Sequence, residues 1–380
     1  MIDKPPGCIL PLLDRSVPRG QYLQTNHMHP VPLALTRRTA ILAMIGAASA
    51  ARAQSGAREA LWKDWTDHFL APDGRVVDAG QGGISHSEGQ GYGLILAQAL
   101  GDRDAFERIE GWTRQHLAIR PDTLTVWRWD PVTGPDRSGE TATDGDLFRA
   151  WALLRAVRDS GWLGHEGTAR EIARDLVRLC IVPDPRAPDE PLLRPGAQSR
   201  AGKRVLWNPS YLMPRALIEL GTAFDLPDLV RAADHGADVL AELAATGLLP
   251  DWIDVTKDGF APAPDRALQW GHDALRIQLY LLWSGRDHHP ALGLADATFG
   301  KAPAPGHVAT VVAPDGTVGA QSDYAGFLAI AALGSCAPRT RARRAGQPYY
   351  PATLELLAHV ARREGACRTP GGHRPNPTPP

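Results

Sequence analysis

Thr143-Asp144-Gly145-Asp146-Leu147-Phe148-Arg149-Ala150-Trp151-Ala152-Leu153-Leu154-Arg155-Ala156-Val157 carries the pattern that decides the architecture. Leu147, Ala150, Trp151, Leu154 and Val157 recur at i, i+3, i+4 and i+7, laying one apolar stripe along a helix. Two aspartates flanking a glycine open it; alone they are ordinary helix-cap chemistry. The same period returns at Ile172, Leu176 and Leu179, at Leu229, Ala232, Ala233 and Val239, and at Leu354, Leu357, Ala358 and Ala361. Strand-type alternation is scarce, and Val308 to Val318 reads as a short hairpin turning at Pro314-Asp315-Gly316. Helix starts fall near Glu88, Asp146, Ser210, Asp273 and Ser322, roughly 50 to 65 residues apart, room for one helical hairpin and its loops each. A ring of hairpins closes such a chain, with a superhelical solenoid as the competing architecture.

The chain has 380 residues, 43% apolar, enough for one large core or a closely packed pair. A formal charge of -1 argues against nucleic acid as a partner, because phosphate binding leaves an excess of Lys and Arg. Eleven Trp stand against seven Phe. An indole offers a flat apolar face and one N–H donor, which suits a sugar ring, although any single Trp serves equally well as core.

Thr36-Arg37-Arg38-Thr39, the apolar run Ala40 to Ala50 and Ala51-Arg52-Ala53 together form an export signal, with Gln54 as the mature start. The run is too short to span a bilayer, so the mature chain is expected in the periplasm or secreted, without membrane insertion. The Arg pair leaves both the twin-arginine and the ordinary secretory route open. Residues 1–53 are thus extension and signal, 54–365 a catalytic domain, and 366–380 a Pro- and Gly-rich tail expected to be disordered. Cys8 precedes the cut. Cys180, in an apolar helical run, reads as a buried thiol, and Cys336 with Cys367 is the pair to test for a disulfide. Four arginines between Arg339 and Arg344 read as a solvated loop.

Candidate chemistry gathers at helix starts. In Ser85-His86-Ser87-Glu88-Gly89-Gln90-Gly91-Tyr92-Gly93, Ser87 and Gln90 have capping-box spacing and place Glu88 in a first turn. A first-turn Glu also suits the helix dipole. Three glycines inside a helix, however, each cost roughly 1 kcal/mol relative to Ala, and such losses are tolerated where something approaches the backbone closely. Trp270-Gly271-His272-Asp273-Ala274-Leu275-Arg276 places another acid at a helix start, with Arg276 at ion-pair spacing from Asp273. In a ring of hairpins all inner helices run the same way, so Glu88, Asp144 and Asp273 converge on one cleft. Paired carboxylates are what glycoside hydrolysis needs, one as acid and one as base or nucleophile. Trp127, Trp129, Trp207, Tyr211, Trp252 and Trp270 are candidate rings for a polysaccharide groove.

Ser87-Glu88-Gly89-Gln90-Gly91-Tyr92-Gly93 resembles the acid motif of glycoside hydrolase family 8, and Ala142-Thr143-Asp144-Gly145-Asp146 its aspartate signature. Leu249-Pro250-Asp251-Trp252 and His272-Asp273-Ala274-Leu275-Arg276 resemble its later motifs, so the likeness runs through the mature chain to about Leu333. Within the family the chain is most similar to the periplasmic endo-β-1,4-glucanases of bacterial cellulose synthesis. The resemblance implies an (α/α)6 barrel with short β-hairpin elements, an inverting mechanism, and no metal or organic cofactor. It implies that Glu88 is the general acid and Asp273 the base that activates water. Asp144 is then a second catalytic residue or the group gripping the sugar beside the cut. Gln90 and Tyr92 would orient Glu88, whose pKa burial and neighbouring carboxylates would raise. Asp146 and Arg276 join the substrate-binding set. The implied partner is a β-glucan, with association with a cellulose synthase complex as a further expectation. Arg149 and Trp151 depart from the signature, where smaller or aliphatic residues are usual. Two other classes fit the residues: a non-catalytic glycan-binding factor of an export system, which would not need Glu88 and Asp273 together, and a toroidal polysaccharide lyase.

Overall fold

Helix α4 (Thr143–Arg158) occupies the stretch quoted above, and every residue from Thr143 to Ala156 is buried. A helix buried all round is the inner member of a layered fold. Its successor α5 (Glu166–Cys180) buries only one face, through Ala169, Ile172, Ala173, Leu176 and Cys180, as an outer helix does. The computed structural model that shows this describes residues 56, 58–336 and 342–367. The export signal, Cys8, the tail beyond Cys367 and Arg339 to Arg341 lie outside the described residues.

The alternation repeats around a ring. α1 (58–69) is followed by α2 (Ser87–Leu100), α3 (Arg103–His116), the α4/α5 hairpin, α6 (Pro214–Phe224), α7 (Pro227–Ala245), α8 (Arg276–Trp283), α9 (Pro290–Phe299), α10 (Ala325–Ser335) and α11 (Tyr349–Arg363). α2 packs on α4, α4 on α6, α6 on α8, α8 on α10, α10 on α11, and α11 back on α2; α3, α5, α7 and α9 lie outside their hairpin partners. α1 joins the outer layer through Trp65, whose Nε1 donates to Thr353 of α11 at 2.9 Å. This is an (α/α)6 barrel, closed rather than solenoidal; α2, α4, α8, α10 and α11 begin at one end, around Arg276 and the cleft, whereas α6 begins near the other, with Arg215 beside the end of α8.

The opposite end is plugged by Glu364, just past α11. It accepts from Arg155 of α4 at 2.5 and 3.1 Å, Arg215 of α6 at 2.7 Å and Trp283 of α8 at 2.9 Å. One carboxylate thereby ties four inner helices with charge-assisted bonds. A disulfide joins Cys336 and Cys367 across the ends of α10 and α11. The packed chain therefore runs past residue 365, through the buried Ala366 to Cys367. Cys180 is a buried free thiol, and burial pushes it up to about 12. Of the Arg-rich segment, Arg343 pairs with Asp323 at 2.8 Å and Arg344 with the buried Glu355 at 2.7 Å, so both are anchored rather than merely solvated.

The expected hairpin is β9 (Val308–Val312) and β10 (Val318–Ser322), antiparallel, its turn pinned by Asp315 Oδ1 accepting from the Thr317 N–H. Three further small sheets were not legible in the sequence. β1 (Ser85–His86), β2 (Arg128–Asp130) and β3 (Gly134–Pro135) form one; β4 (Ile181–Asp184) and β5 (Ala187–Leu193) another; β6 (Arg204–Trp207), β7 (Ile253–Thr256) and β8 (Gly259–Ala261) the third. Most are four residues or shorter, too short for alternation to register.

Candidate active site

Glu88 lies in the first turn of α2, but the capping box is not formed. His86 is the cap, its Nδ1 accepting from Gly89 N–H at 2.9 Å. Gln90 is fully buried: its Oε1 accepts from Val76 N–H at 2.6 Å and its Nε2 donates to Thr113 Oγ1 at 2.8 Å. Gln90 anchors the chain before α2 and does not reach Glu88, which corrects its expected role. The glycines answer to the neighbouring helix. A Cβ on Gly145 would stand 2.6 Å from Ser87 C and 2.7 Å from Glu88 N, and one on Gly91 2.9 Å from Phe148 Cβ. Their absence lets α2 and α4 touch backbone to backbone and sets Glu88 beside Asp144.

The third acid precedes its helix: α8 begins at Arg276, and Asp273 stands in the turn leading into it. Asp251 shapes that turn, its Oδ1 accepting from Gly271 N–H at 2.9 Å and Ala274 N–H at 2.8 Å. Arg276 gathers the set. Its Nη1 bonds Glu88 Oε2, the Tyr92 hydroxyl at 2.9 Å and Asp144 Oδ2 at 3.4 Å. Its Nη2 donates to Asp273 Oδ1 at 2.5 Å and Ser210 Oγ at 2.9 Å. Asn208 Nδ2 donates to the other Asp273 oxygen at 3.1 Å.

Three carboxyls around one cation cannot all be charged cheaply in a buried site. Burial pushes Glu88 up, but the Arg276 guanidinium, His86 and the contact with Asp144 together outweigh it and hold this carboxyl below its ordinary range, where a rise was expected. Burial and the negative Glu88 push Asp144 well up, and burial pushes Asp273 up. Glu88 and Asp144 are hydrogen-bonded. Of the pair, Asp144 is the carboxyl pushed towards its protonated form.

These groups stand at the floor of a cleft of about 580 Å³, whose lining includes Glu88, Asp273 and Arg276 together with His86, Asp78 and Tyr350. The family model for glycosyl hydrolases family 8 matches residues 34–364.

The chain belongs to glycoside hydrolase family 8.

It is 34% identical over 328 residues to a protein of Novacetimonas hansenii named a probable endoglucanase, covering 80% of this chain and 90% of that one. Endoglucanase Cel10 of Klebsiella pneumoniae superposes with a TM-score of 0.74 at 27% identity, over 80% of this chain and 99% of that one. Endo-β-1,4-glucanase CMCax of Acetobacter xylinum does so with a TM-score of 0.68 at 29% identity, over 82% and 99%.

In this family-8 site the aromatic residues divide. Trp207 and Trp270, at 1% and 5% exposure, are core, so neither offers a ring to a sugar, contrary to expectation. Tyr211 stays near the centre, its ring 5.7 Å from the Arg276 guanidinium, with Trp252 5.9 Å beyond it. Trp127 is partly exposed, and its carbonyl accepts from Ser87 N–H at 2.9 Å. Trp129 is half-buried against Trp112 and under Arg75. Asp146 is also buried, its Oδ1 accepting from Thr125 N–H and Oγ1–H at 2.9 and 2.7 Å. It braces the irregular segment leading to Trp127 and is not among the residues lining the cleft. Tyr92 serves Arg276 and bonds the Tyr280 hydroxyl, so it reaches Glu88 only through the guanidinium. Arg149 pairs with the buried Glu110 at 2.6 Å, and Trp151 Nε1 donates to Glu219 at 2.7 Å; both departures from the signature are structural. The sequence reading missed Asn208, Asp78, Tyr324, Phe327 and Tyr350. His86 stood inside a quoted motif, and its capping spacing to Gly89 was the signal that could have found it.

Proposed function

We propose that this family-8 hydrolase cuts internal β-1,4-glucosidic bonds of cellulose or a related β-glucan by an inverting acid/base mechanism. The observation that carries the reading is the meeting of Glu88, Asp144 and Asp273, from three distant parts of the chain, around Arg276 at a cleft floor. Glu88 and Asp273 sit on separate arms of the guanidinium, which suits a base that acts through a water rather than a nucleophile in contact with the sugar. Glu88 protonates the departing oxygen; Asp273 takes a proton from water attacking the anomeric carbon. Asp144 grips hydroxyls of the sugar that becomes the new reducing end. Those bonds favour charged Asp144, so its proton passes along the shared hydrogen bond to Glu88 as substrate seats. Tyr211, Trp252 and Trp127 supply rings on the Asp144 side.

The names of the relatives support β-glucan as substrate. The segment before Gln54 supports export to the periplasm or beyond, and no helix among the described residues is long and apolar enough to cross a membrane. Trimming of nascent cellulose beside a synthase complex rests on the motif resemblance and is tested by co-purification from membranes making cellulose. For the chemistry, Glu88→Gln should abolish release of reducing ends from carboxymethylcellulose while cellopentaose still binds, because the amide keeps the shape without the proton. Substantial activity in this variant removes Glu88 as the acid.

A further inference from the structure

We propose that His86 and Asp78 form a hydroxyl-reading subsite for the leaving half of the glucan. This rests on the reading above, with Asp144 on the sugar that becomes the new reducing end.

An imidazole nitrogen that accepts a hydrogen bond carries no proton. His86 Nδ1 accepts from Gly89 N–H at 2.9 Å, so the neutral ring bears its proton on Nε2. That nitrogen stands 3.6 Å from Asp78 Oδ2, a long contact that helps hold the Asp78 carboxyl below its ordinary range against its burial. The ring is not free to close the gap: it caps α2 and packs edge-on against Tyr349 at 5.7 Å. Asp78, only 6% exposed, is equally fixed. Its Oδ1 accepts from Gly80 N–H at 2.9 Å and its Oδ2 from Gln81 Nε2 at 2.8 Å. A carboxylate oxygen has about two lone-pair directions, so Oδ2 keeps one for another donor. Held donor and held acceptor thus stand side by side at a long 3.6 Å separation, and both line the cleft that contains Glu88.

A hydroxyl is both donor and acceptor. Seated beside the pair on the cleft side, off the line that joins them, it accepts from Nε2–H and donates to Oδ2 at once. The ring of helices decides which sugar this is. Asp144 and Tyr211 come from the α4 and α6 side of the line from Glu88 to Asp273. Asp78 and His86 share their stretch of cleft with Tyr324 and Tyr350, from α10 and α11. With the new reducing end on the Asp144 side, the His86 side receives the departing sugar.

The test uses two variants and two substrates. His86→Asn keeps a side-chain acceptor for Gly89, since Asn caps helices well, and removes the Nε2 donor. Asp78→Asn keeps Oδ1 for Gly80 and removes the charged acceptor. Cellopentaose presents sugar hydroxyls on both sides of the cut, whereas 4-nitrophenyl β-cellotrioside, read as nitrophenolate release, presents none on the leaving side. Each variant should lose about tenfold more kcat/KM on cellopentaose than on the nitrophenyl glycoside, the scale of one hydrogen bond involving a charged group. Equal losses on the two substrates, with wild-type activity intact, would overturn the subsite and leave the hydrolase reading standing. A wild-type chain inactive on both would overturn the hydrolase reading and the subsite with it.

Discussion

Glu88 and Asp273 are held on separate nitrogens of the Arg276 guanidinium, Nη1 and Nη2, although 185 positions of sequence separate the two acids (273 minus 88). The cation therefore spaces the two carboxyls as well as offsetting their charge. A planar fork with fixed donors does this better than an ammonium on a flexible stem.

Replacing Arg276 should break that spacing. In Arg276→Gln, kcat/KM on cellopentaose should fall about a hundredfold or more, the penalty for reacting groups displaced by about 1 Å. The guanidinium lowers Asp273, so its loss lets that carboxyl rise further. The acid limb of the kcat/KM profile should move to higher pH, because the charged base appears only above its pKa. A rate loss with an unmoved acid limb would contradict the electrostatic part of this account.

α4, α5, α7 and α11 were legible because they carry the 3.6-residue period, most cleanly the one-faced outer helices α5 and α7, and the spacing of the helix starts implied a ring. Glu88, Asp144, Asp273 and Arg276 were legible because each stands within a compact motif. Gln90 was misread because capping spacing is a local signal, and burial of its amide against Val76 and Thr113 overrode it. Trp207 and Trp270 were misread because composition counts rings without saying which face of a strand or turn they occupy. Asp78, Tyr324 and Tyr350 belong to no motif at all. Packing of α10 on α11 and of α11 on α2 brings the tyrosines to the cleft, and that closure is not local in sequence.

Asp146 gives a stability prediction with a definite sign. Burial pushes its carboxyl up to about 7 against the bonds from Thr125. Unfolded, the group titrates near ~4. Between those values the folded chain keeps a proton that the unfolded chain releases, so this residue costs stability as pH rises, fully so above about 7. In Asp146→Asn the amide nitrogen replaces Oδ2, which has no partner among the described residues, and Oδ1 still accepts from Thr125. Urea unfolding at pH 5 and pH 8 should show the variant gaining on wild type by on the order of 2 kcal/mol across that interval. A difference that is the same at both pH values would refute a raised Asp146.

The Cys336–Cys367 bridge closes a loop of 31 residues at the end of the barrel away from the cleft. Loss of such a closure costs about 4 kcal/mol on chain-entropy grounds. The Cys336→Ser/Cys367→Ser pair should therefore melt several degrees lower, with kcat at 25 °C unchanged. An unchanged melting midpoint would mean that the bridge does not constrain the unfolded chain.

The central claim, that Asp273 activates water while Glu88 protonates the leaving oxygen, fixes the stereochemistry of the product. A base acting through water needs its carboxyl about 6.5 to 9.5 Å from the acid, whereas a nucleophile needs about 5 to 5.5 Å. Proton NMR of cellopentaose hydrolysis, recorded before mutarotation, reads the outcome directly at the new reducing end. The α-anomer should appear first; first appearance of the β-anomer would contradict the water-activating role of Asp273.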